Sequence, residues 1–203
     1  MEKERKTARA LQAEETKKRI FKAATTLLEN KKIESIKISD ITKEANIAAG
    51  TFYLYYRTKW DVFLEAYRYV NDYFDEEVRP NLTQPHVRDR LLFFFDSYAV
   101  FNSTVQDVRF TKLLYNATNT IFNKNDFTDE HITGVLGLLN ETLQKGLDDG
   151  QLKASEDVKE MTRMFMIAVR GLMFNWCCQD GDYELRPAMR WYVDNLISIY
   201  LAD

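Results

Sequence analysis

The chain has 203 residues, of which 45% are hydrophobic and 29% are charged, and its net charge is −3. These values are ordinary for a soluble protein and leave room for one large domain, or for a small domain joined to a larger one. The N-terminal segment is charged, and the longest apolar runs, Leu91 to Phe95 and Met164 to Val169, are far too short to cross a bilayer. We therefore expect a cytoplasmic protein that does not have a membrane as a partner.

Positive charge is concentrated in the N-terminal part of the chain. Residues 1–59 hold 14 Lys and Arg against 8 Asp and Glu, whereas residues 60–203 hold 14 against 23. A basic N-terminal quarter on an otherwise acidic protein favours a polyanionic partner for that quarter alone. The alternative is that these charges are scattered over solvated helix faces.

The sequence offers few residues for metal binding or catalysis. Cys177 and Cys178 are adjacent, which suits neither a disulfide framework nor a zinc site, and only His86 and His131 could add imidazole ligands. We expect two reduced, buried thiols and neither a metal nor a cofactor. The chain has no glycine-rich phosphate loop and no recognisable set of nucleophile, base and orienting residue, so we do not expect an enzyme.

Helices are predicted almost throughout, because the chain has only 7 Gly and 3 Pro and no long alternation of polar and β-branched residues. The expected fold is all-α with about nine helices. In chain order the predicted helices span residues 11–31, 39–46, 49–56, 58–78, 86–102, 104–122, 128–148, 156–178 and 187–202. Charge and helix length divide the chain near residue 58. We assign residues 1–58 to one domain, with 1–10 as a flexible arm, and residues 59–203 to a second.

Two short helices in the basic quarter meet at a tight turn, which is the geometry of a helix-turn-helix. The turn falls at "ANIA", where Asn46 is one of the few residues other than glycine that tolerates the left-handed conformation. Thr58 then begins "TKWD", whose spacing predicts a capping box at the start of a long helix.

The segment "AAGTFYLYYRTKWD" places four aromatic rings within five positions. On a helix, Phe52 and Tyr56 share one face and can belong to the core, whereas Tyr53 and Tyr55 are rotated away by about 100° per residue. Two phenols that face outward could donate hydrogen bonds to phosphate oxygens. The alternative is that Tyr53 and Tyr55 are half-buried against a neighbouring helix.

The stretch "ISDITKEANIAAGTFYLYYRTKWDVF" resembles the DNA-binding segment of the TetR/AcrR family of transcriptional regulators. That family's pattern is R-D-I-A-x-x-A-G-V, then S-x-G-T-L-Y-x-Y-F, then a small polar residue and Lys. The match runs in order and without a gap through Asp40, Ile41, Ala45, Ile47, Gly50, Thr51, Phe52, Tyr53, Tyr55, Tyr56, Thr58 and Lys59. The resemblance implies a helix-turn-helix domain that binds double-stranded DNA, followed by a larger helical domain for ligand binding and dimerisation.

Carried over by position, the resemblance implies a set of DNA-binding residues. These are Ser39, Ala49, Thr51, Tyr53, Leu54, Tyr55 and Lys59. The chain departs from the family pattern at Asn46, where glycine is usual, at Ala49, where a polar residue is common, and at Ser39, where many members have arginine. Direct base readout is therefore expected to be apolar, and methyl contacts from Ala49 and Leu54 would suit an A·T-rich site.

The last two predicted helices carry more apolar surface than one core needs, which favours a homodimer built on a four-helix interface. The expected interface residues are Met164, Ala168, Gly171, Leu172, Trp191, Leu196 and Tyr200. The alternative is a helix pair that is fully buried inside a monomer. In a two-fold dimer the recognition helices would lie about 34 Å apart and would read a palindromic operator.

The helices between residues 60 and 148 are rich in aromatic residues with a few polar groups among them, which is the composition of a small-molecule pocket. The resemblance implies an effector site here, and we expect an unidentified effector of apolar or aromatic character. The candidate pocket residues, considered as a group, are Tyr98, Phe101, Tyr115, Asn119 and Trp176. The predicted function is a ligand-responsive repressor; the alternative is a non-catalytic helical adaptor protein.

Overall fold

The computed structural model describes residues 8–28, 30–105, 108, 111–112, 134–153, 155 and 157–202. Within these residues the regular secondary structure is helical apart from one isolated antiparallel bridge between Leu152 and Leu201, so the predicted all-α fold class is confirmed. The α-helices are α1 (Ala8–Leu28), α2 (Ile38–Glu44), α3 (Ala49–Tyr53), α4 (Lys59–Tyr73), α5 (Val87–Val100), α6 (Gly134–Asp148), α7 (Val158–Cys178) and α8 (Leu185–Ser198).

Shorter helical segments adjoin several of these helices. Single 3₁₀ turns occur at Ile33–Ser35 and Arg79–Asn81, and π-helical turns at Phe74–Val78 and Phe101–Val105 continue α4 and α5. Most of the helix predicted for residues 104–122, and the start of the one predicted for 128–148, lie outside the described residues. None of the described helices is both long and apolar enough to cross a membrane.

The chain divides into two compact units, unit 1 (Met1–Arg68) and unit 2 (Tyr69–Asp203). The division falls within α4, ten residues beyond the boundary assigned from the sequence. The reason is that side chains from the first turns of α4 bond to unit 1: Lys59 reaches the backbone at Ile33, and Glu65 reaches the hydroxyl of Tyr56.

Unit 1 is held together by an apolar core to which α1, α2, α3 and the start of α4 contribute. In α1, the buried positions Ile20, Ala23 and Ala24 are spaced by three and four residues and therefore lie on one face. The remaining core side chains of this unit include Ile33, Ile36, Ile41, Ala45, Phe52, Tyr56, Val62 and Phe63. This core fixes the two short helices relative to α1.

Two local signals in the sequence are confirmed at the ends of the short helices. Asn46 has φ of +51° in the turn that follows α2. At the start of α4, Thr58 Oγ1 accepts a hydrogen bond from the Asp61 N–H (3.3 Å), and the Asp61 carboxylate accepts one from the Thr58 N–H (2.9 Å). These two bonds form the predicted capping box.

Unit 2 is built around a continuous cluster of aromatic rings. Phe74 contacts Phe94 (4.9 Å between ring centroids), Phe94 contacts Phe95 (5.0 Å), and Phe95 stacks on Phe165 of α7 (5.6 Å). Gly146 of α6 lets that helix approach α5 closely, because a Cβ added there would lie 2.5 Å from Val87 Cγ2. Helices α5, α6, α7 and α8 all contribute to this core.

The expectation of two buried thiols is half wrong. Both cysteines are free, but only Cys177 is buried, whereas Cys178 is exposed. Adjacent helical residues are rotated by about 100°, so one core face cannot cover both side chains. Burial raises the pKa of the Cys177 thiol to about 11, which leaves it protonated near neutral pH.

The left-handed residue between α2 and α3 provides a test of this turn. Asn46→Ala is expected to destabilise unit 1 by about 1 kcal/mol, because alanine tolerates positive φ poorly, whereas Asn46→Gly should retain the stability of the parent. The free energy of opening can be measured by native-state hydrogen exchange of α2 and α3 amides. Equal protection in the two variants would show that the turn does not depend on this conformation.

Candidate nucleic-acid interface

The short helix α3 has one buried face and one exposed face. Phe52 and Tyr56 are 0% and 4% exposed, whereas Tyr53 and Leu54 are 59% and 78% exposed. The prediction that the first two rings belong to the core and that Tyr53 projects outward is therefore confirmed. Tyr55 is only half-buried, which agrees partly with the alternative interpretation.

The buried Phe52 ring contacts both an exposed ring and a buried ring. Phe52 packs edge-on against Tyr53 at 5.6 Å and at a tilt against Tyr56 at 5.7 Å. The N–H groups of Tyr55 and Tyr56 both donate to the Phe52 carbonyl at 3.0 Å, which closes the end of the helix. The remaining candidate contact residues are also accessible: Ser39 and Ala49 are exposed, and Thr51 is half-buried.

Lys59 is held by the backbone of unit 1. Its ammonium group donates to the carbonyls of Ile33 (2.7 Å), Glu34 (3.0 Å) and Ile36 (2.9 Å). An ammonium group has three N–H donors, so these bonds occupy all of them. The side chain predicted to contact DNA therefore fixes the turn that precedes α2.

Arg19 of α1 plays a similar part at the C-terminal end of α2, a role for which no specific signal is visible in the sequence. Its guanidinium donates to the carbonyls of Ala45 (2.8 Å) and Asn46 (3.1 Å). A cation at the C-terminus of a helix satisfies carbonyls that have no partner within the helix and lies favourably in the helix dipole. Arg19 thus bonds to the C-terminal end of α2, and Lys59 bonds to the turn that precedes this helix.

The first turn of α2 is capped by Asp40. Its carboxylate accepts a hydrogen bond from the Lys37 N–H at 3.1 Å and lies 3.3 Å from Lys31 Nζ. The backbone N–H of Lys37, assisted by Lys31, holds the pKa of Asp40 below its usual value despite the opposing effect of desolvation. The carboxylate is therefore ionised at neutral pH. Its negative charge lies at the N-terminus of α2, where it interacts favourably with the positive end of the helix dipole.

The described surface of unit 1 is predominantly basic. Only three acidic side chains are exposed there, Glu15, Glu34 and Glu44. The exposed basic side chains are Arg9, Lys18, Arg19, Lys22, Lys31, Lys32, Lys37, Lys43 and Arg57. The positive charge of the N-terminal quarter therefore lies on the molecular surface. A surface of this kind attracts a polyanion such as a nucleic acid.

The candidate pocket residues in unit 2 are engaged in packing. Phe101 is buried against Tyr73 (5.1 Å between centroids), and Tyr98 lies 6.2 Å from Phe74. The buried Trp176 donates its ring N–H to the Tyr183 carbonyl at 3.0 Å. Tyr115 and Asn119 lie outside the described residues.

An open cavity in the described part of unit 2 involves none of the candidate pocket residues. Its lining residues are His86, Val87, Arg88, Asp89, Gly150, Gln151, Leu201 and Ala202. These belong to the start of α5, the loop after α6 and the end of the chain.

The surplus apolar surface of the last two helices lies partly in solvent. Met164 and Trp191 are 42% and 69% exposed, and a Cβ added at Gly171 would meet no atom within 4 Å. The other four candidate interface residues, Ala168, Leu172, Leu196 and Tyr200, are half-buried. Two further apolar side chains of α7, Ile167 and Phe174, are exposed and were not predicted. Their spacing from Met164 and Gly171 places all four residues on one face of the helix.

Comparison with known proteins connects this geometry to a family. Residues 20–66 match the family model described as bacterial regulatory proteins, tetR family. That range begins in α1 and ends in α4, and it includes α2, the turn at Asn46 and α3.

Similarity to individual proteins extends over most of the chain. The fatty acid metabolism regulator protein of Bacillus subtilis is 21% identical over 181 residues, which is 88% of this chain and 92% of that protein. The crystal structure of FadR from Bacillus subtilis in complex with stearoyl-CoA superposes with a TM-score of 0.71 at 21% identity, over 89% of this chain and 97% of the other.

A second solved structure shares the fold. FadR of Thermus thermophilus, a TetR-family transcriptional repressor in complex with lauroyl-CoA, has a TM-score of 0.64 at 23% identity and covers 89% of this chain and 93% of its own. The basic unit with an exposed recognition helix, the match at residues 20–66 and these relatives lead to one conclusion. Residues 20–66 form a domain of the kind described for bacterial regulatory proteins of the tetR family, and the chain as a whole shares its fold with the solved structures of these regulators.

Proposed function

We propose that this regulator is a repressor that binds a palindromic operator as a homodimer and that a long-chain acyl-CoA controls its affinity for DNA. The observation that supports DNA binding is the exposure of Tyr53, the last residue of α3, and of Leu54, which follows it. The Tyr53 ring packs against the buried Phe52. A pure packing role would leave the large side chains of Tyr53 and Leu54 without a reason to face solvent.

The proposed DNA-binding surface consists of the six candidate contact residues other than Lys59. Hydroxyl groups that can donate to phosphate oxygens are carried by Ser39, Thr51, Tyr53 and Tyr55. Such phosphate contacts fix the position of the protein on the duplex. Ala49 and Leu54 are exposed and apolar, and they can contact thymine methyl groups in the major groove. Lys59 acts indirectly, since its three donors hold the turn before α2.

Removal of one phenolic hydroxyl tests the phosphate contact. A duplex selected by the parent protein from a randomised library serves as the probe, called here the selected duplex. Tyr53→Phe is expected to raise the dissociation constant about tenfold, because a hydrogen bond to a charged phosphate contributes about 1.5 kcal/mol. Fluorescence anisotropy at several salt concentrations gives both the affinity and its salt dependence.

Two comparisons make that measurement specific. Tyr53→Phe should weaken binding to an unselected duplex as well, since phosphate contacts carry no sequence information. Lys59→Met, in contrast, should lower the thermal stability of unit 1, because it removes the ammonium group that bonds to three backbone carbonyls. Unchanged affinity of Tyr53→Phe for both duplexes would reject the proposed surface.

The dimer is proposed to form through the exposed faces of α7 and α8. Met164, Ile167 and Phe174 on α7, together with Trp191 on α8, are large apolar side chains in solvent. Gly171 lies among them on α7 and allows a second helix to approach closely. A second copy of the chain would cover this surface and would present two recognition helices to one operator.

A single charge should disrupt this interface. Trp191→Glu is expected to raise the dissociation constant of the dimer about 100-fold or more, because an unpaired carboxylate would be buried against apolar surface at a cost of several kcal/mol. Sedimentation equilibrium measures the association. Trp191→Phe, which keeps an apolar ring, should remain dimeric; a parent chain that sediments as a monomer at micromolar concentration would contradict the proposal.

The effector class rests on the relatives. Two solved structures that share this fold contain stearoyl-CoA and lauroyl-CoA, respectively. In this chain, α4 begins in unit 1 and continues along the sequence into unit 2. A ligand that prefers one conformation of unit 2 can therefore change DNA affinity through a covalently continuous element.

Stearoyl-CoA is expected to lower the affinity for the selected duplex about 5- to 150-fold at saturation, which corresponds to a coupling free energy of about 1 to 3 kcal/mol. Anisotropy titrations at increasing ligand concentration measure this change. Coenzyme A alone and stearate alone separate the contributions of the head group and the acyl chain. An unchanged dissociation constant at saturating stearoyl-CoA would exclude this ligand as the effector.

A further inference from the structure

A buried carboxylate on α4 connects α1, the segment that follows α3, and the next turn of α4. Glu65 of α4 is only 8% exposed, and its Oε1 accepts a hydrogen bond from the Tyr56 hydroxyl at 3.1 Å. The same oxygen lies 3.4 Å from Lys17 Nζ of α1, and Oε2 accepts a hydrogen bond from Arg68 Nε. We call Tyr56, Glu65, Lys17 and Arg68 the Glu65 network.

Burial of a carboxylate is unfavourable unless cations and donors compensate it. Arg68 supplies part of this compensation and is itself bridged to Glu14 of α1, where Nη1 lies 3.1 Å from Oε2. Partial burial alone would lower the pKa of Arg68, but hydrogen bonds to Glu14 and Glu65 outweigh that effect and raise the pKa. Arg68 therefore stays charged at all ordinary pH values.

The Glu65 network continues through aromatic contacts to the exposed face of α3. The Tyr56 ring lies 5.7 Å from the Phe52 ring, which lies 5.6 Å from the exposed Tyr53 ring. Because α3 spans only five residues, it cannot fix its own orientation and depends on such tertiary contacts. A side chain that fixes Tyr56 therefore also restrains the position of Tyr53.

The hydroxyl of Tyr56 connects the core of unit 1 to Glu65. A phenylalanine would fill the same space in the core, and the family pattern quoted above has Phe at the corresponding position. The added oxygen is buried and donates to Glu65. A buried hydroxyl without such a partner would be unfavourable, so Tyr56 and Glu65 depend on each other.

We propose that Glu65 is a positioning residue for DNA recognition: through Tyr56 and Phe52 it fixes the orientation of Tyr53, although it does not contact DNA. This inference rests on the proposed DNA-binding surface, in which Tyr53 contacts phosphate. It adds to that surface a residue of α4 whose effect on affinity is transmitted through the core of unit 1.

The test uses the full chain and removes a single oxygen atom. Tyr56→Phe is expected to raise the dissociation constant for the selected duplex about tenfold, because the surface that binds DNA is no longer preorganised. The slope of affinity against salt concentration should stay unchanged, since no phosphate contact is removed. Glu65→Gln should act in the same direction, because it weakens the bonds to Arg68 and Lys17.

A matched control removes a hydroxyl elsewhere. Tyr183→Phe deletes a phenolic oxygen that bonds within unit 2, and it should leave the affinity for the selected duplex unchanged. A merely structural role for Glu65 would lower the melting temperature without changing the dissociation constant of the folded protein. Affinity of Tyr56→Phe within twofold of the parent would therefore overturn the inference.

The double variant distinguishes this inference from the proposed contact surface. If Tyr56 acts through Tyr53, then Tyr56→Phe should have a much smaller effect in a Tyr53→Phe background, whereas additive effects would overturn the route through Phe52. The effect of Tyr53→Phe alone decides the phosphate contact. A loss of affinity in Tyr53→Phe but not in Tyr56→Phe would reject the positioning role and leave the contact surface standing.

Discussion

The burial of Phe52 and Tyr56 beneath α3 is the constraint on which the rest of unit 1 depends. A five-residue helix makes too few internal hydrogen bonds to persist alone in water, so its orientation comes from the side chains that anchor it. Burial of each large ring contributes about 1.5 to 3 kcal/mol. Because neighbouring residues are rotated by about 100°, the same two anchors turn Tyr53 and Leu54 outward. The exposed surface that we propose for DNA recognition is thus a direct consequence of core packing.

Basic residues serve two purposes in this unit. Arg19 satisfies backbone carbonyls at the C-terminal end of α2, and Lys59 satisfies carbonyls in the turn before α2. A buried carbonyl left without a partner would cost about 1 to 3 kcal/mol. The other exposed lysines and arginines act through their summed field, which attracts a polyanion at a distance.

The sequence predicted those features that depend on local pattern. Helical periodicity placed Phe52 and Tyr56 in the core, and backbone preferences identified the turn at Asn46 and the cap at Thr58. Features that depend on tertiary contacts were not predictable. The long side chain of Lys59 can reach many acceptors, and only the folded position of residues 33–36 selects them. Composition likewise cannot separate rings that pack together from rings that contact a ligand, and Phe101 and Trp176 prove to be packed.

The proposed dimer and its proposed control by an effector would both be explained by how few contacts one recognition helix makes. In a dimer, binding of the first half-site raises the effective concentration of the second, so two weak contacts combine into one strong one without any new interaction with DNA. The spacing of the two helices then controls affinity, and it can change while the α3 surface itself stays intact. A coupling free energy of about 1 to 3 kcal/mol is enough for regulation under these conditions. The proposed anchoring of α3 by the Glu65 network is consistent with this mechanism. A change in the spacing of the two units alters DNA affinity only if each recognition helix moves together with its own unit.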